Sequence, residues 1–178
     1  MENVEKDIRI LKADITTINV DVIVNAANRS LLGGGGVDGA IHNAAGPELL
    51  EATKELGGAN VGEAKITKGY NLPADYIIHT VGPIYQDGTE NEASLLASCY
   101  KNSLKLADVE ELETIAFPAI STGIYGYPIE KATAVAISTV KEVLPKLKYV
   151  KHVIFVVFND EIKEIYETIF AENKRLLS

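Results

Sequence analysis

Three stretches of the chain are almost wholly apolar and rich in β-branched residues. They read VIVN, YIIHTV and HVIFVVF, and they begin at Val22, Tyr76 and His152. Continuous apolar runs of this kind are typical of strands whose two faces are both covered by helices. Similar runs predict strands at residues 8–12, 22–25, 64–69, 76–81, 114–117 and 153–158. Longer amphipathic stretches alternate with these strands, so the pattern predicts an α/β layer fold.

The spacing of the strands predicts a mixed sheet. Helices are expected at residues 37–45 with continuation through residue 56, and at residues 92–108, 129–144 and 160–170. Only residues 70–75 separate the third strand from the fourth, which is too short for the helix of a parallel crossover. These two strands are therefore predicted to be antiparallel. With 178 residues and no internal repeat or linker, residues 1–178 are expected to form one domain.

The composition argues against several classes of protein. A net charge of −8 disfavours nucleic acid as a partner, because such binding relies on lysine and arginine side chains that neutralise phosphates. One cysteine and three scattered histidines lack metal-ligand spacing, so we expect neither a metal nor another cofactor. No apolar stretch reaches the roughly 18 residues of a membrane span, and the N-terminal MENVEKD is unlike a signal peptide. We therefore expect a cytoplasmic protein without a membrane partner.

Two glycine-bearing segments follow predicted strands and precede predicted helices. Gly34, Gly36 and Gly39 satisfy the pattern GxGxxG, but NRSLL separates them from the strand and no acidic residue closes a second strand about 20 residues on. A nicotinamide oxidoreductase is therefore the weakest alternative. The second segment, PAISTGIYGYP, begins at Pro118. Bare backbone lets a ligand approach main-chain amides, so two such loops could bind two phosphates, and the alternative for each is a flexible loop.

Five ordered motifs together resemble the macro domain family, in particular its MacroD-type members. They are ADIT from Ala13, VNAAN from Val24, GGGGVDGAIHNAAGP from Gly33, HTVGPIY from His79 and STGIYGYP from Ser121. The resemblance implies a three-layer α/β/α sandwich around a mixed, mostly parallel sheet, with ADP-ribose bound in a cleft. It also implies a hydrolase that removes ADP-ribose from acidic side chains of ADP-ribosylated proteins and deacetylates O-acetyl-ADP-ribose. The alternative function is a non-catalytic module that reads ADP-ribose.

The resemblance also assigns roles to individual residues. Asp14 and the Ile15 amide would contact adenine, on which Phe158 would pack. Asn28 would orient the distal ribose, and Asp38 would orient or deprotonate a water molecule beside it. The two phosphate-binding loops would be formed by Gly34, Gly35, Gly36 and Val37 and by Ser121, Thr122, Gly123, Ile124 and Tyr125, mainly through their main-chain amides, to which serine and threonine hydroxyls could add.

Each of these roles has a structural alternative. Asp14 could cap a turn, Asn28 could be a plain turn former, and Phe158 could belong to the core. Asn25 is expected to brace the loop, whereas His79 and His42 are expected to have structural roles. For Asp38 two effects oppose each other: a helix N-terminus favours the carboxylate, and a nearby diphosphate raises its pKa. The substrate's diphosphate is an alternative activator of the water.

Overall fold

One six-stranded sheet organises the computed structural model, which describes residues 5–177. Its strands are β1 (Asp7–Lys12), β2 (Val22–Ala27), β3 (Ala64–Lys68), β4 (Tyr76–Val81), β5 (Thr114–Phe117) and β6 (His152–Val157). They lie in the order β1-β6-β5-β2-β4-β3, and every neighbouring pair is parallel except β3 with β4. The prediction of a mixed sheet with this antiparallel pair is confirmed. The short link closes as a turn in which the Gly69 amide donates to the Asp75 carbonyl at 2.8 Å.

Within residues 5–177 there are five α-helices, of which four lie between strands and the last follows β6. They are α1 (Gly36–Ala45), α2 (Pro47–Leu56), α3 (Glu92–Val109), α4 (Ile129–Val143) and α5 (Asp160–Leu177). The prediction of one continuous helix through residue 56 is wrong, because Gly46 adopts a φ of +91° and Pro47 begins a new helix. α5 extends seven residues beyond its predicted end at residue 170. Among residues 5–177, no helix has both the length and the apolar character needed to cross a membrane.

The sheet separates two apolar cores. Val22 and Val24 of β2 face the core that contains side chains of α3, α4 and α5, whereas Ile23 between them faces the core that contains α1 and α2. Successive residues of a strand point to opposite faces, so a wholly apolar strand fits only a sheet that is covered twice. The three-layer α/β/α arrangement is thereby confirmed.

Five strands of the sheet point in one direction and end at one edge. The chain therefore leaves β1, β2, β4, β5 and β6 on the same side of the molecule. The glycine-rich segment after β2 leads into the N-terminus of α1, and the second glycine-bearing segment follows β5. Loops at the carboxyl ends of parallel strands form the crevice in which such folds bind ligands.

Candidate active site

A cleft of about 820 Å³ opens at this carboxyl edge. Its walls come from the segments that follow β1, β2, β5 and β6 and from the first turn of α1. Cavities of this size are typical of sites for small organic ligands. All of the residues predicted to bind a ligand line the cleft: Asp14, Ile15, Asn28, residues 34–38, residues 121–125 and Phe158. The structure thus brings these residues together, and their contact with a ligand stays a prediction.

The loop between β2 and α1 presents main-chain amides at the start of a helix. α1 begins at Gly36, and its N-cap residue Gly35 has no side chain to cap the first turn. The first amides of a helix have no carbonyl partner within it, and together with the helix dipole they favour an anion. This part of the cleft can therefore receive a phosphate group.

Asn28, directly after β2, is held in one orientation by its own loop. Its Oδ1 accepts hydrogen bonds from Ser30 Oγ at 2.7 Å and from the Leu31 amide at 3.1 Å. Its Nδ2 donates to the Gly33 carbonyl at 2.9 Å. An amide nitrogen carries two hydrogens, so one N–H of Asn28 is left for a ligand in the cleft. The bonds from Ser30 and Leu31 are those of a turn-forming asparagine, so the turn-forming alternative fits this loop, and a contact of the second N–H with a ligand stays a prediction.

Asp38 lies in the first turn of α1 and is 5% exposed. Its Oδ1 accepts a hydrogen bond from Asn25 Nδ2 at 2.8 Å, and Nε2 of His42 lies 3.6 Å from the same oxygen. Burial raises the pKa of Asp38, although the hydrogen bond from Asn25 and the charge of His42 act in the opposite direction. Of the opposing influences on this carboxyl group, desolvation is the larger, and it makes Asp38 a stronger base than an exposed aspartate.

Two buried polar side chains lie below Asp38. His79 on β4 is fully buried and lies within hydrogen-bond distance of Asn25 and Thr67, so its prediction as a hydrogen-bonded core histidine is confirmed. Asn25 was expected to brace the loop, and this prediction is wrong: its carboxamide donates to Asp38 and faces His79 instead. The signal in the sequence was a polar residue within an apolar strand. Its partners depend on strand register and could not be identified from sequence alone.

The second loop, between β5 and α4, uses its hydroxyl groups to hold itself together. Ser121 Oγ donates to the Pro83 carbonyl at 2.8 Å, and Thr122 Oγ1 donates to the Ala119 carbonyl at 2.8 Å. A side chain at Gly82 would collide with Ser121 Oγ, which explains the glycine there. Because both hydroxyl hydrogens are engaged, the loop is left to bind an anion through main-chain amides. Hydrogen bonds from these hydroxyls to a phosphate stay a prediction.

The side chains predicted to contact adenine lie after β1 and β6. Asp14 Oδ1 accepts from the Thr16 amide at 3.0 Å and from Thr16 Oγ1 at 2.7 Å, and these two bonds lower the pKa of Asp14. Among the described residues, its Oδ2 has no partner, so the turn leaves one acceptor for a ligand. Phe158 is 75% exposed, which excludes the alternative that it belongs to the core. An exposed aromatic ring at the rim of a cleft is suited to stack on a planar group.

The cleft also contains residues that sequence analysis missed. Ile162 of α5 lines it close in sequence to Phe158, and Ile120 lines it before the second loop. Ile162 could have been predicted to line the cleft, because α5 starts there and Ile162 lies about one helical turn beyond the end of β6. Within residues 5–177, no group of three or more histidine, cysteine, aspartate or glutamate side chains is arranged to hold a metal ion.

Comparison with known proteins identifies relatives over nearly the whole chain. The sequence model of the family described as Macro domain matches residues 24–136. The chain is 59% identical over 158 residues to the ADP-ribose glycohydrolase MACROD2 of Xenopus laevis, covering 88% of this chain and 38% of the frog protein. It is 52% identical over 166 residues to the O-acetyl-ADP-ribose deacetylase of Klebsiella pneumoniae, covering 91% of this chain and 95% of that protein.

The fold has a solved counterpart with a nucleotide bound. The macrodomain of Oceanobacillus iheyensis, solved with ADP, superposes with a TM-score of 0.92 and is 44% identical, covering 98% of this chain and 95% of that chain. A variant of the same macrodomain was solved with ADP-ribose.

Proposed function

The chain belongs to the macro domain family, and we propose that it is a hydrolase that binds ADP-ribose in the cleft. Its proposed substrates are proteins that carry mono-ADP-ribose on glutamate or aspartate side chains, and O-acetyl-ADP-ribose. In each substrate an ester joins the distal ribose to a carboxyl group. Hydrolysis yields ADP-ribose and the free carboxylic acid.

The order of the strands supports this assignment. Asp14 and Phe158 follow the adjacent strands β1 and β6, the second loop follows β5, and Asn28 follows β2. Three inter-strand spacings of about 4.8 Å separate β1 from β2, which is roughly 14 Å. A nucleoside, a diphosphate and a second sugar joined end to end are long enough to span such a distance. The succession of an aromatic ring, amide-bearing loops and a polar pair along one cleft is the observation that carries the proposal.

The chemistry is assigned to the polar pair at the β2 end. The remaining N–H of Asn28 donates to a hydroxyl group of the distal ribose and fixes the sugar. Asp38 accepts a proton from a water molecule as that water adds to the ester carbonyl carbon. The bond between this carbon and the ribose oxygen then breaks, and the proton passes to the leaving ribose oxygen, which regenerates the Asp38 carboxylate. Its raised pKa makes the proton transfer more favourable, and such base catalysis contributes about 100- to 10,000-fold to rates. The main-chain amides of both loops hold the diphosphate and thereby position the ester.

A comparison of binding and turnover tests the proposal. The wild-type protein and Asp38→Asn are incubated with a peptide that carries ADP-ribose on a glutamate, and with O-acetyl-ADP-ribose. Released ADP-ribose is measured by chromatography, and ADP-ribose binding is measured by calorimetry. We expect wild-type turnover and a loss of at least about 100-fold in the variant, with the Kd changed by less than about 3-fold.

Other outcomes select other functions. Tight binding of ADP-ribose by a wild-type protein that releases nothing would identify a reader module. Full turnover by Asp38→Asn would remove Asp38 as the base and favour activation of the water by the substrate's own diphosphate. Failure of the wild-type protein to bind ADP-ribose would refute the whole assignment.

A further inference from the structure

Beneath the cleft, polar side chains from three neighbouring strands meet on the face of the sheet that α1 covers. Asn25 of β2 is paired in register with His79 of β4, and Thr67 comes from β3, on the other side of β4. Each is buried: Asn25 and His79 are 0% exposed, and Thr67 is 9% exposed. Buried polar groups are costly unless their hydrogen bonds are made, so their arrangement determines which hydrogen bonds form.

The distances allow one consistent set of hydrogen bonds. Asn25 Nδ2 lies 2.8 Å from Asp38 Oδ1 and 3.1 Å from His79 Nδ1. Its two hydrogens serve these two acceptors, which requires that His79 Nδ1 carry no proton. The proton of the ring then lies on Nε2, which donates to Thr67 Oγ1 at 2.9 Å. Thr67 Oγ1 in turn donates to the Lys68 carbonyl at 3.1 Å, whereas Asn25 Oδ1 has no partner among the described residues.

The reversed carboxamide would be unfavourable. If Asn25 were rotated by 180°, its carbonyl oxygen would face both the Asp38 carboxylate and the lone pair of His79 Nδ1. Burial lowers the pKa of His79 to about 3, and the charge of His42 acts in the same direction. His79 is therefore neutral near pH 7 and remains an acceptor for Asn25.

We propose that His79 is a positioning residue for the hydrolysis: it fixes the Asn25 carboxamide as a donor, and Asn25 in turn fixes the Asp38 carboxylate, with Thr67 holding the imidazole ring. The kinetic part of this inference rests on the proposed function. Asp38 Oδ1 is then occupied by Asn25, and Oδ2 is the oxygen next to Gly34 in the cleft. A base whose carboxylate is held in one orientation meets its water in a productive geometry.

Loss of the acceptor at position 79 has a defined consequence for Asp38. The carboxamide of Asn25 would be free to turn, and the hydrogen bond that lowers the pKa of Asp38 would weaken. The titratable groups that face this carboxylate are His42, on the same helix at 3.6 Å, and His79, across Asn25 on β4. Asn25, the other residue of the sheet that affects the pKa of Asp38, is uncharged. A change at His79 therefore reaches Asp38 mainly through the Asn25 hydrogen bond.

A pair of variants of similar shape isolates the acceptor. Asparagine and leucine both branch at Cγ, but only asparagine places an oxygen near the position of imidazole Nδ1. His79→Asn should keep the acceptor for Asn25, and His79→Leu removes it. Thr80→Val is the matched control, because it deletes a buried hydroxyl one residue away that donates to the Glu63 carbonyl on the opposite face of the sheet from His79.

The readouts are the titration of the Asp38 carboxyl carbon by NMR and the pH profile of kcat. For His79→Leu we expect the titration midpoint of Asp38 to rise by about 0.5 to 1 pH unit and kcat at pH 7 to fall about 10-fold, with KM within about 3-fold. His79→Asn and Thr80→Val should stay within about 3-fold of the wild-type kcat. The ascending limb of the kcat profile should move with the Asp38 midpoint.

Several results would overturn the inference. One is a folded His79→Leu protein whose kcat and Asp38 titration midpoint equal those of the wild-type protein. Another is a His79→Asn protein whose kcat falls as far as that of His79→Leu. If His79→Leu does not fold, Thr67→Val replaces it, and a kcat unchanged within about 1.5-fold would then contradict the proposal, since a loss of about 2- to 5-fold is expected. If the wild-type protein lacks hydrolase activity, the proposed function fails, while the NMR titration still decides whether His79 controls Asp38.

Discussion

Nδ2 of Asn28 and Oδ2 of Asp38 both lie 3.3 Å from the position that a Cβ atom would take at Gly34. The two polar groups at the β2 end of the cleft therefore bound the space that a side chain at Gly34 would enter. Gly34 does not have a positive φ, so an alanine here would not strain the backbone. It would instead press on two side chains whose hydrogen bonds fix them.

Gly34→Ala is accordingly expected to damage turnover more than folding. A displacement of a few tenths of an ångström at both groups should lower kcat/KM by about 10- to 100-fold, because positioning contributes strongly to such reactions. The melting temperature should change by less than about 3 °C. Asn43→Ala, on the exposed side of α1, is the control for substitution near the site. Undiminished kcat/KM in Gly34→Ala would show that the two groups do not act through this geometry.

Asn28→Asp tests the remaining N–H of Asn28 with little change in shape. An aspartate can still accept from Ser30 and Leu31, but it would set an oxygen against the Gly33 carbonyl and lose the donor for the ribose. We expect kcat/KM to fall by about 100-fold or more, as when a hydrogen bond of the transition state is lost. Ser30→Ala removes only one support of the amide and should cost about 2- to 5-fold. Equal losses of kcat/KM in Asn28→Asp and Ser30→Ala would contradict the role of the Asn28 N–H as a donor to the ribose.

Much of the fold was predictable because local signals and tertiary structure agree. The apolar strands β4 and β5 have the predicted bounds, since only a doubly covered sheet buries such runs. The antiparallel pair followed from a link too short for a helix. The break between α1 and α2 at Gly46 was missed. The amphipathic spacing of the residues continues across this glycine, whereas the break in the helix depends on its single positive φ.

The candidate site was predictable only in part. The glycine-rich loops and the polar residues at strand ends are local patterns, and parallel strands bring them to one edge. The chain from Asp38 through Asn25 and His79 to Thr67 joins residues from three strands and a helix. Which of them touch is decided by register and by side-chain orientation, and neither is encoded in any short segment.

The buried His79 predicts how stability depends on pH. Its pKa is lowered from 6.5 to about 3 in the folded protein. As pH falls below 6.5, the unfolded chain therefore takes up a proton that the folded protein excludes, and stability is lost progressively down to about pH 3. Between pH 8 and pH 5 this group should cost about 2 kcal/mol of the free energy of unfolding.

Urea unfolding of the wild-type protein and His79→Leu at pH 8 and pH 5 measures this contribution. Other groups titrate in both proteins, so the difference between them reports the titration of His79 together with the shift that the substitution causes at Asp38. The wild-type protein should lose about 2 kcal/mol more than the variant on acidification. Parallel losses in the two proteins would mean that His79 is protonated in the folded state.

Substitution of Phe158 is expected to weaken the binding of ADP-ribose without lowering the stability of the fold. Because its ring is 75% exposed at the rim of the cleft, Phe158→Ala should change the melting temperature little, whereas a ring that stacks on adenine would contribute about 1 kcal/mol or more to binding. We therefore expect the Kd for ADP-ribose to rise about 5- to 20-fold, and Phe158→Tyr to restore it. Calorimetry with ribose 5-phosphate, which lacks adenine, is the matched control, since its binding should be the same in all three proteins. An unchanged Kd for ADP-ribose in Phe158→Ala would place the adenine elsewhere, and an equal loss for both ligands would indicate that the substitution disturbs the cleft itself.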